Sequence, residues 1–226
     1  MRHILTRIGR NSGEIMVCIV INGNSLPLAD KLWEAIVPLG ATGLSININK
    51  ENTNVVLGDK TKALFGKAEI TDTLLGTKFE ISPLSFYQVN RDQTEKLYSI
   101  AAEYACLTPD TVLLDMYCGV GTIGLTMAKR VKELIGVEII PQAIENAKEN
   151  ARLNNIENVR FICDDAKGAA KTLYDEGLSS REEYLRAKED YELAQSQLEG
   201  VKLSDSLYKI DHAYKDYLVV ELPISD

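Results

Sequence analysis

Apolar positions follow two rhythms along this chain, and the change between them divides it. "EIMVCIVIN" at 14–22 is an almost unbroken apolar run; with residues 2–9, across the turn-forming "GRNSG", it predicts a pair of strands. "SLPLADKLWEAIVPLG" then spaces Leu28, Leu32, Ala35, Ile36 and Leu39 as a helix does, with Gly40 near the expected C-terminal cap. "TGLSININ" alternates as a strand, and 54–58, 65–70 and 78–82 predict further short strands between glycine turns. Residues 1–82 therefore read as an α+β region.

Beyond Pro83 the pattern becomes that of a parallel sheet. "RDQTEKLYSIAAEYACL" predicts a helix, and "TVLLDMY" is a continuous apolar strand of the kind buried on both faces. A helix from about Gly121 to Arg130, strand "ELIGVEI", a helix over 141–154 opened by Pro141, and strand "VRFIC" complete a β-α-β-α-β alternation. The fold class is α/β: an incomplete Rossmann-like sheet over 83–172, preceded by the α+β region.

The strands due after Ala166 do not come. Residues 173–226 instead predict a polar helix opened by a Ser-Ser-x-Glu-Glu capping pattern. Tyr184, Ala187, Tyr191, Ala194, Leu198 and Val201 fall at the a/d spacing of a short coiled-coil seam. "DYLVVELPI" would form one terminal strand. Either that strand caps the open edge of a three-stranded sheet, or the edge and the seam lead to self-association.

Charge sharpens the same division. The net charge is −8, but residues 1–172 carry only −1 and residues 173–226 carry −7. A nucleic-acid-binding face is thus compatible with the body of the chain, although net charge does not argue for one. No apolar run approaches the roughly 18 residues of a membrane span, and "MRHILTRIGR" lacks the apolar core of a leader. Cys18, Cys106, Cys118 and Cys163 show no metal-ligand spacing. Free thiols in a reducing cytoplasm are expected, and no metal site.

The candidate chemistry starts at "LLDMYCGVGTIGLTMA", residues 113–128. A strand ends at Asp115, Gly119 and Gly121 make a tight turn, and a helix begins. Glycines let a ligand approach the backbone, and a helix start offers unpaired N–H donors. Alone, the turn fits a structural role as well as a cofactor cradle. Glu138, ending the next strand 17 residues after Gly121, is placed to accept hydrogen bonds from ribose hydroxyls. The motif is GxG without a pyrophosphate turn, which favours a nucleoside such as S-adenosylmethionine over NAD. Asp164-Asp165, ending the third strand, is placed to reach an adenine amino group; a solvated strand end is the structural alternative.

"ISPLSFYQVNRDQTEKLY", "LLDMYCGVGTIGL" and "IGVEIIPQAIENAKENARLNNIENVRFICDDA" together resemble the RNA (uracil-C5)-methyltransferases of ribosomal and transfer RNA, over about residues 2–170. "RHILTRIGRNSGEIMVCIVING" and "SININKENTNVVLGD" are similar to that family's central region. The resemblance implies S-adenosylmethionine as cofactor and RNA as substrate. It implies that Gln88 reaches the methionine part, Tyr117 and Thr122 line the pocket at the glycine turn, Glu138 holds the ribose and Asp165 sits near the adenine. The family attacks uracil C6 with a cysteine thiolate, methylates C5, and removes the C5 proton with a base. Its nucleophile follows an Asp-Pro-Pro-Arg strand end. No "DPPR" occurs in this chain and no cysteine follows Cys163. Cys118 lies in the cofactor turn, where the family carries a cysteine that is not the nucleophile. No catalytic residue is therefore assigned.

The resulting expectation is a fragment with the cofactor half of such an enzyme. The alternatives are an inactive cofactor- or RNA-binding module, or an interaction protein acting through its helical tail. Residues 174–205 also resemble the helical hairpin of periplasmic adaptor proteins, which would make the tail foreign to the rest.

Overall fold

The computed structural model describes residues 1–204, and within them two sheets and a hairpin are covered by six α-helices. Strands β1 (His3–Ile8) and β2 (Ile15–Ile21) form the expected hairpin around "GRNSG". Helix α1 (Ala29–Ile36) then crosses to β3 (Ala41–Ile48), which lies parallel to β2. Gly40 ends the following 3-10 turn at φ 97°, as its place in the sequence predicts. β4 (Lys60–Gly66) closes an antiparallel edge, giving the order β1-β2-β3-β4. Ile19, Ile21, Leu44 and Ile46 pack beneath α1, and Trp33 stacks on Phe65 with centroids 5.4 Å apart.

The strand expected over 54–58 is not formed. Asn49 Nδ2 donates to the carbonyls of Val55 (2.7 Å) and Val56 (3.1 Å), while Asn47 both donates to the Gly58 carbonyl and accepts its N–H, each at 2.7 Å. Two buried asparagines of β3 and its end thus take the backbone groups that a ladder would have used, and the segment is a pinned loop.

A hairpin of β5 (Ile70–Leu74) and β6 (Thr77–Ile81) leads to α2 (Arg91–Tyr104). The expected alternation then appears: β7 (Val112–Met116), α3 (Thr122–Met127), β8 (Glu133–Glu138), α4 (Pro141–Leu153), β9 (Val159–Cys163) and α5 (Ala166–Asp175). The sheet is parallel in the order β7-β8-β9. β8 is central and buried. β7 is an outer strand, so Val112 and Leu114 remain 40% and 43% exposed instead of covered on both faces. Its apolar sequence suits an interior strand, but among the described residues no strand pairs with its second edge.

Phe79 and Ile81 of β6 share one core with Tyr98, Leu125, Leu134 and Ala151. The division expected between 82 and 83 runs through this core, and that between 172 and 173 falls inside α5. Polar residues tie the same elements. Asn150 of α4, fully buried, accepts from the Glu80 N–H at 2.7 Å and donates to the Val120 carbonyl beyond β7 at 3.1 Å. Asn154, one turn on, pairs with both backbone groups of Lys78.

The polar helix α6 (Arg181–Ser204) opens on the predicted capping box: Ser180 Oγ accepts from the Glu183 N–H, and Glu183 Oε2 accepts from the Ser180 N–H. Tyr184, Ala187, Tyr191 and Ala194 of the expected seam are partly buried, but the seam faces the chain's own α5: Tyr184 stacks on Tyr174. The side chains of Leu198 and Val201, and the terminal strand expected at "DYLVVELPI", lie outside the described residues. No helix among those residues is long and apolar enough to cross a membrane.

Replacing Asn150 with alanine strands a buried N–H and a buried carbonyl at once. The expected loss is about 2–4 kcal/mol of unfolding free energy, read from urea midpoints at unchanged slope.

Candidate cofactor site

The turn after β7 has three left-handed residues in alternation: Tyr117 (φ 63°), Gly119 (φ 55°) and Gly121 (φ 84°). At Gly121 the φ of 84° strains any residue with a Cβ, which would also crowd the Leu125 side chain at 2.8 Å. At Gly119 nothing lies within 4 Å of that position, and its backbone is open to a ligand. Tyr117 adopts the same conformation with a side chain and stays half exposed. Such a backbone costs on the order of 1 kcal/mol or more and is held in place by its surroundings.

Those surroundings are polar side chains from three elements. Glu138, at the tip of β8, accepts the Gly119 N–H through Oε2 at 3.1 Å and the Ile140 N–H through Oε1 at 3.0 Å. Asp115, near the end of β7, accepts the Gly124 N–H at 2.8 Å. Gly124 has no room for a Cβ, which would meet Asp115 Oδ2 at 2.8 Å and Leu134 Cδ1 at 2.7 Å. Asn150 holds the Val120 carbonyl from below. Burial, with a smaller contribution from Glu138, pushes the Asp115 carboxyl up to about 6.

The remaining expected residues are placed less uniformly. Thr122 opens α3 and shares a 3.2 Å hydrogen bond with the Tyr98 hydroxyl of α2. Asp165 caps α5, its Oδ1 accepting the Gly168 N–H at 2.8 Å, and its charge, after burial, keeps the Tyr117 phenol above its ordinary range. Asp164 lies against Gly168, where a Cβ would meet its carboxylate. Gln88 is exposed in the segment before α2 and makes no hydrogen bond among the described residues. Glu138 and Gly119 are thus joined directly, Tyr117 and Asp165 electrostatically, while Gln88 stands apart.

Cys118 is 6% exposed, and burial, reinforced by Asp115 and Glu138, pushes its thiol far up. It is neutral at physiological pH and unsuited to nucleophilic attack, as its place in the turn predicts. No group of three or more His, Cys, Asp or Glu among the described residues is arranged to hold a metal.

Asp115, Asn150 and Tyr98 escaped the sequence reading. Asn150 left one trace: it lies on the apolar stripe of α4 with Ile144, Ala147 and Ala151, where a polar residue needs a partner.

Residues 107–180 match the family model of a methyltransferase domain. Over 180 residues the chain is 46% identical to an uncharacterised RNA methyltransferase of Halalkalibacterium halodurans, covering 79% of this chain and 39% of that protein. It is 45% identical over 169 residues to an uncharacterised RNA methyltransferase of Staphylococcus aureus, covering 74% and 37%. Among solved structures it is similar to the Pyrococcus abyssi tRNA (uracil-54, C5)-methyltransferase in complex with S-adenosyl-L-homocysteine. That likeness has a TM-score of 0.61 and 28% identity, over 73% of this chain and 39% of the other. The chain spans about two fifths of the length of these relatives.

The raised Asp115 carboxyl sets a pH dependence of stability. Its folded value lies above the ordinary carboxylate value, so the folded state binds the extra proton and its benefit is lost as pH rises from about 4 to about 6. Asp115→Asn keeps an acceptor for Gly124. It is expected to flatten stability across that window and to gain about 2 kcal/mol at pH 7, by urea unfolding at a series of pH values.

Proposed function

We propose that the chain, which is similar to RNA methyltransferases and carries a match to a methyltransferase domain, is the cofactor-holding part of an enzyme methylating C5 of uridine in ribosomal or transfer RNA. The observation that carries the reading is Glu138, fixed by two backbone amides at the tip of β8 beside the glycine turn. Each of its oxygens accepts one amide and keeps a further lone pair, so the pair can take both ribose hydroxyls without moving. That is pre-organisation for a nucleoside. The open space at Gly119 fits close approach of the ligand to the backbone.

In this reading Gly119 and Gly121 form the floor, Tyr117 the flank, and the Thr122 hydroxyl a polar contact at the turn. Asp165 receives the adenine amino group and Gln88, unencumbered, closes on the methionine part. S-adenosylmethionine supplies the electrophilic methyl group when bound. The uridine specificity rests on the likeness of "SFYQVN" and "DMYCGVGTIG" to the uracil-C5 enzymes.

The same reading assigns no nucleophile. The Asp-Pro-Pro-Arg strand end and its cysteine are absent from the sequence, and Cys118 is buried and neutral. The chain by itself then acts as a cofactor-binding module, not as a complete catalyst.

Isothermal titration is expected to show S-adenosylhomocysteine binding that Glu138→Ala weakens by about 100-fold or more, for two lost hydrogen bonds to a charged acceptor. Equal affinity in the variant would remove the ribose assignment. The purified chain is expected to transfer no radiolabelled methyl group from S-adenosylmethionine to uridine-containing RNA; incorporation would refute the missing nucleophile.

A further inference from the structure

Helix α6 returns along α5 and brings its aromatic residues to the element that Asp165 begins. Tyr184 stacks on Tyr174 with centroids 5.2 Å apart and planes 14° from parallel. Seven residues on, the Tyr191 ring lies 5.1 Å from Lys167 Nζ in a cation–π contact. The Tyr191 hydroxyl hydrogen-bonds to the Asp165 carboxylate. The same carboxylate already accepts the Gly168 N–H, and its charge also reaches Tyr117 at the glycine turn. Asp165 is therefore where the tail helix meets the candidate cofactor site.

We propose that α6 is a self-docking strap that competes with the nucleoside for Asp165, the Tyr191 hydroxyl holding the acceptor that the adenine amino group takes when the cofactor binds. This rests on the cofactor reading above. A phenol and an exocyclic amine are both neutral donors, and either can satisfy the lone pairs that capping leaves on Asp165. Contact with Asp165 also raises the Tyr191 phenol, so the hydroxyl keeps its proton and remains a donor at neutral pH. With the ring held over Lys167, the hydroxyl occupies one approach to that carboxylate, and a base that takes this approach displaces it.

The strap is built to yield. Among the described residues, α6 is a polar helix held by a ring stack, a cation–π contact, a hydrogen bond to Asp165 and a capping box. Of its four described seam positions, Ala187 and Ala194 carry only a methyl group and Tyr184 and Tyr191 are only partly buried, so little buried area opposes release. The coupling is reciprocal: a ligand that displaces α6 loosens it, and any change that loosens α6 tightens the ligand.

Titration of the whole 226-residue chain with S-adenosylhomocysteine tests this. Tyr191→Phe removes the competing hydroxyl and keeps the ring; Tyr184→Ala weakens docking at a point remote from the site. Both are expected to tighten binding roughly three- to tenfold, the scale of a partly exposed hydrogen bond to a charged group. Hydrogen exchange over 181–194 is expected to rise when the ligand saturates the wild-type chain. Unchanged or weaker binding in both variants, with the wild type still binding, overturns the strap alone. Absence of binding in the wild type and in both variants overturns the cofactor reading and the strap together. Binding that appears only in the variants is the strap at its strongest.

Discussion

One backbone segment, the turn and helix start at residues 117–124, is held from three directions, and the rest of the site depends on it. Glu138 draws the Gly119 amide toward β8, Asp115 takes the Gly124 amide from β7, and Asn150 fixes the Val120 carbonyl from α4. A turn with three left-handed residues would otherwise relax, since one of the three, Tyr117, carries a side chain that disfavours that conformation. Each contact joins the turn to a different element, so the packing of β7, β8 and α4 is converted into the position of a few backbone atoms. Loops carry function when a rigid frame positions them, and in this chain the positioning consists of hydrogen bonds to named amides.

Much of this frame was legible before any coordinates. The parallel alternation from 112 to 163, the capping box at Ser180 and the cap at Gly40 all lie where local spacing puts them. Short-range signals of this kind are written in neighbouring residues. The failures involve side-chain partners that spacing alone does not mark. Val55 and Val56 have the composition of a strand, yet Asn49 claims their carbonyls. The seam of α6 has heptad spacing, but spacing says nothing about whether the opposite face belongs to another chain or to α5. Of the site, Gly119, Gly121 and Glu138 announce themselves by motif and interval. Asp115 and Asn150 do not, because their importance lies in one amide and one carbonyl that no local pattern marks.

The position of Cys118 shows how a fold can disarm a reactive residue. Its sulfur lies against the space above Gly136, where a Cβ would approach it at 3.0 Å, and two carboxylates stand nearby. Both the low local polarity and the negative charge oppose a thiolate. The carboxylates that pin the turn thus also suppress the only thiol within it, so this turn is unsuited to supplying a nucleophile. A uridine C5 chemistry that needs a thiolate must draw it from a different, electropositive place.

The same division of labour explains the cost visible in β7. Asp115 sits near the C-terminal end of a strand whose outer edge has no paired strand among the described residues and whose Val112 and Leu114 are partly exposed. A carboxylate that burial pushes up to about 6 destabilises its own strand whenever it is ionised, and an edge strand has only one neighbour to resist that. What compensates is the amide of Gly124, a donor whose approach exists because residue 124 lacks a side chain. Stability at β7 and order in the cofactor turn are therefore not separate properties. Anything that pairs with the open edge of β7 would stiffen Asp115, and through Gly124 it would stiffen the turn that Glu138 and Asn150 hold from the other side.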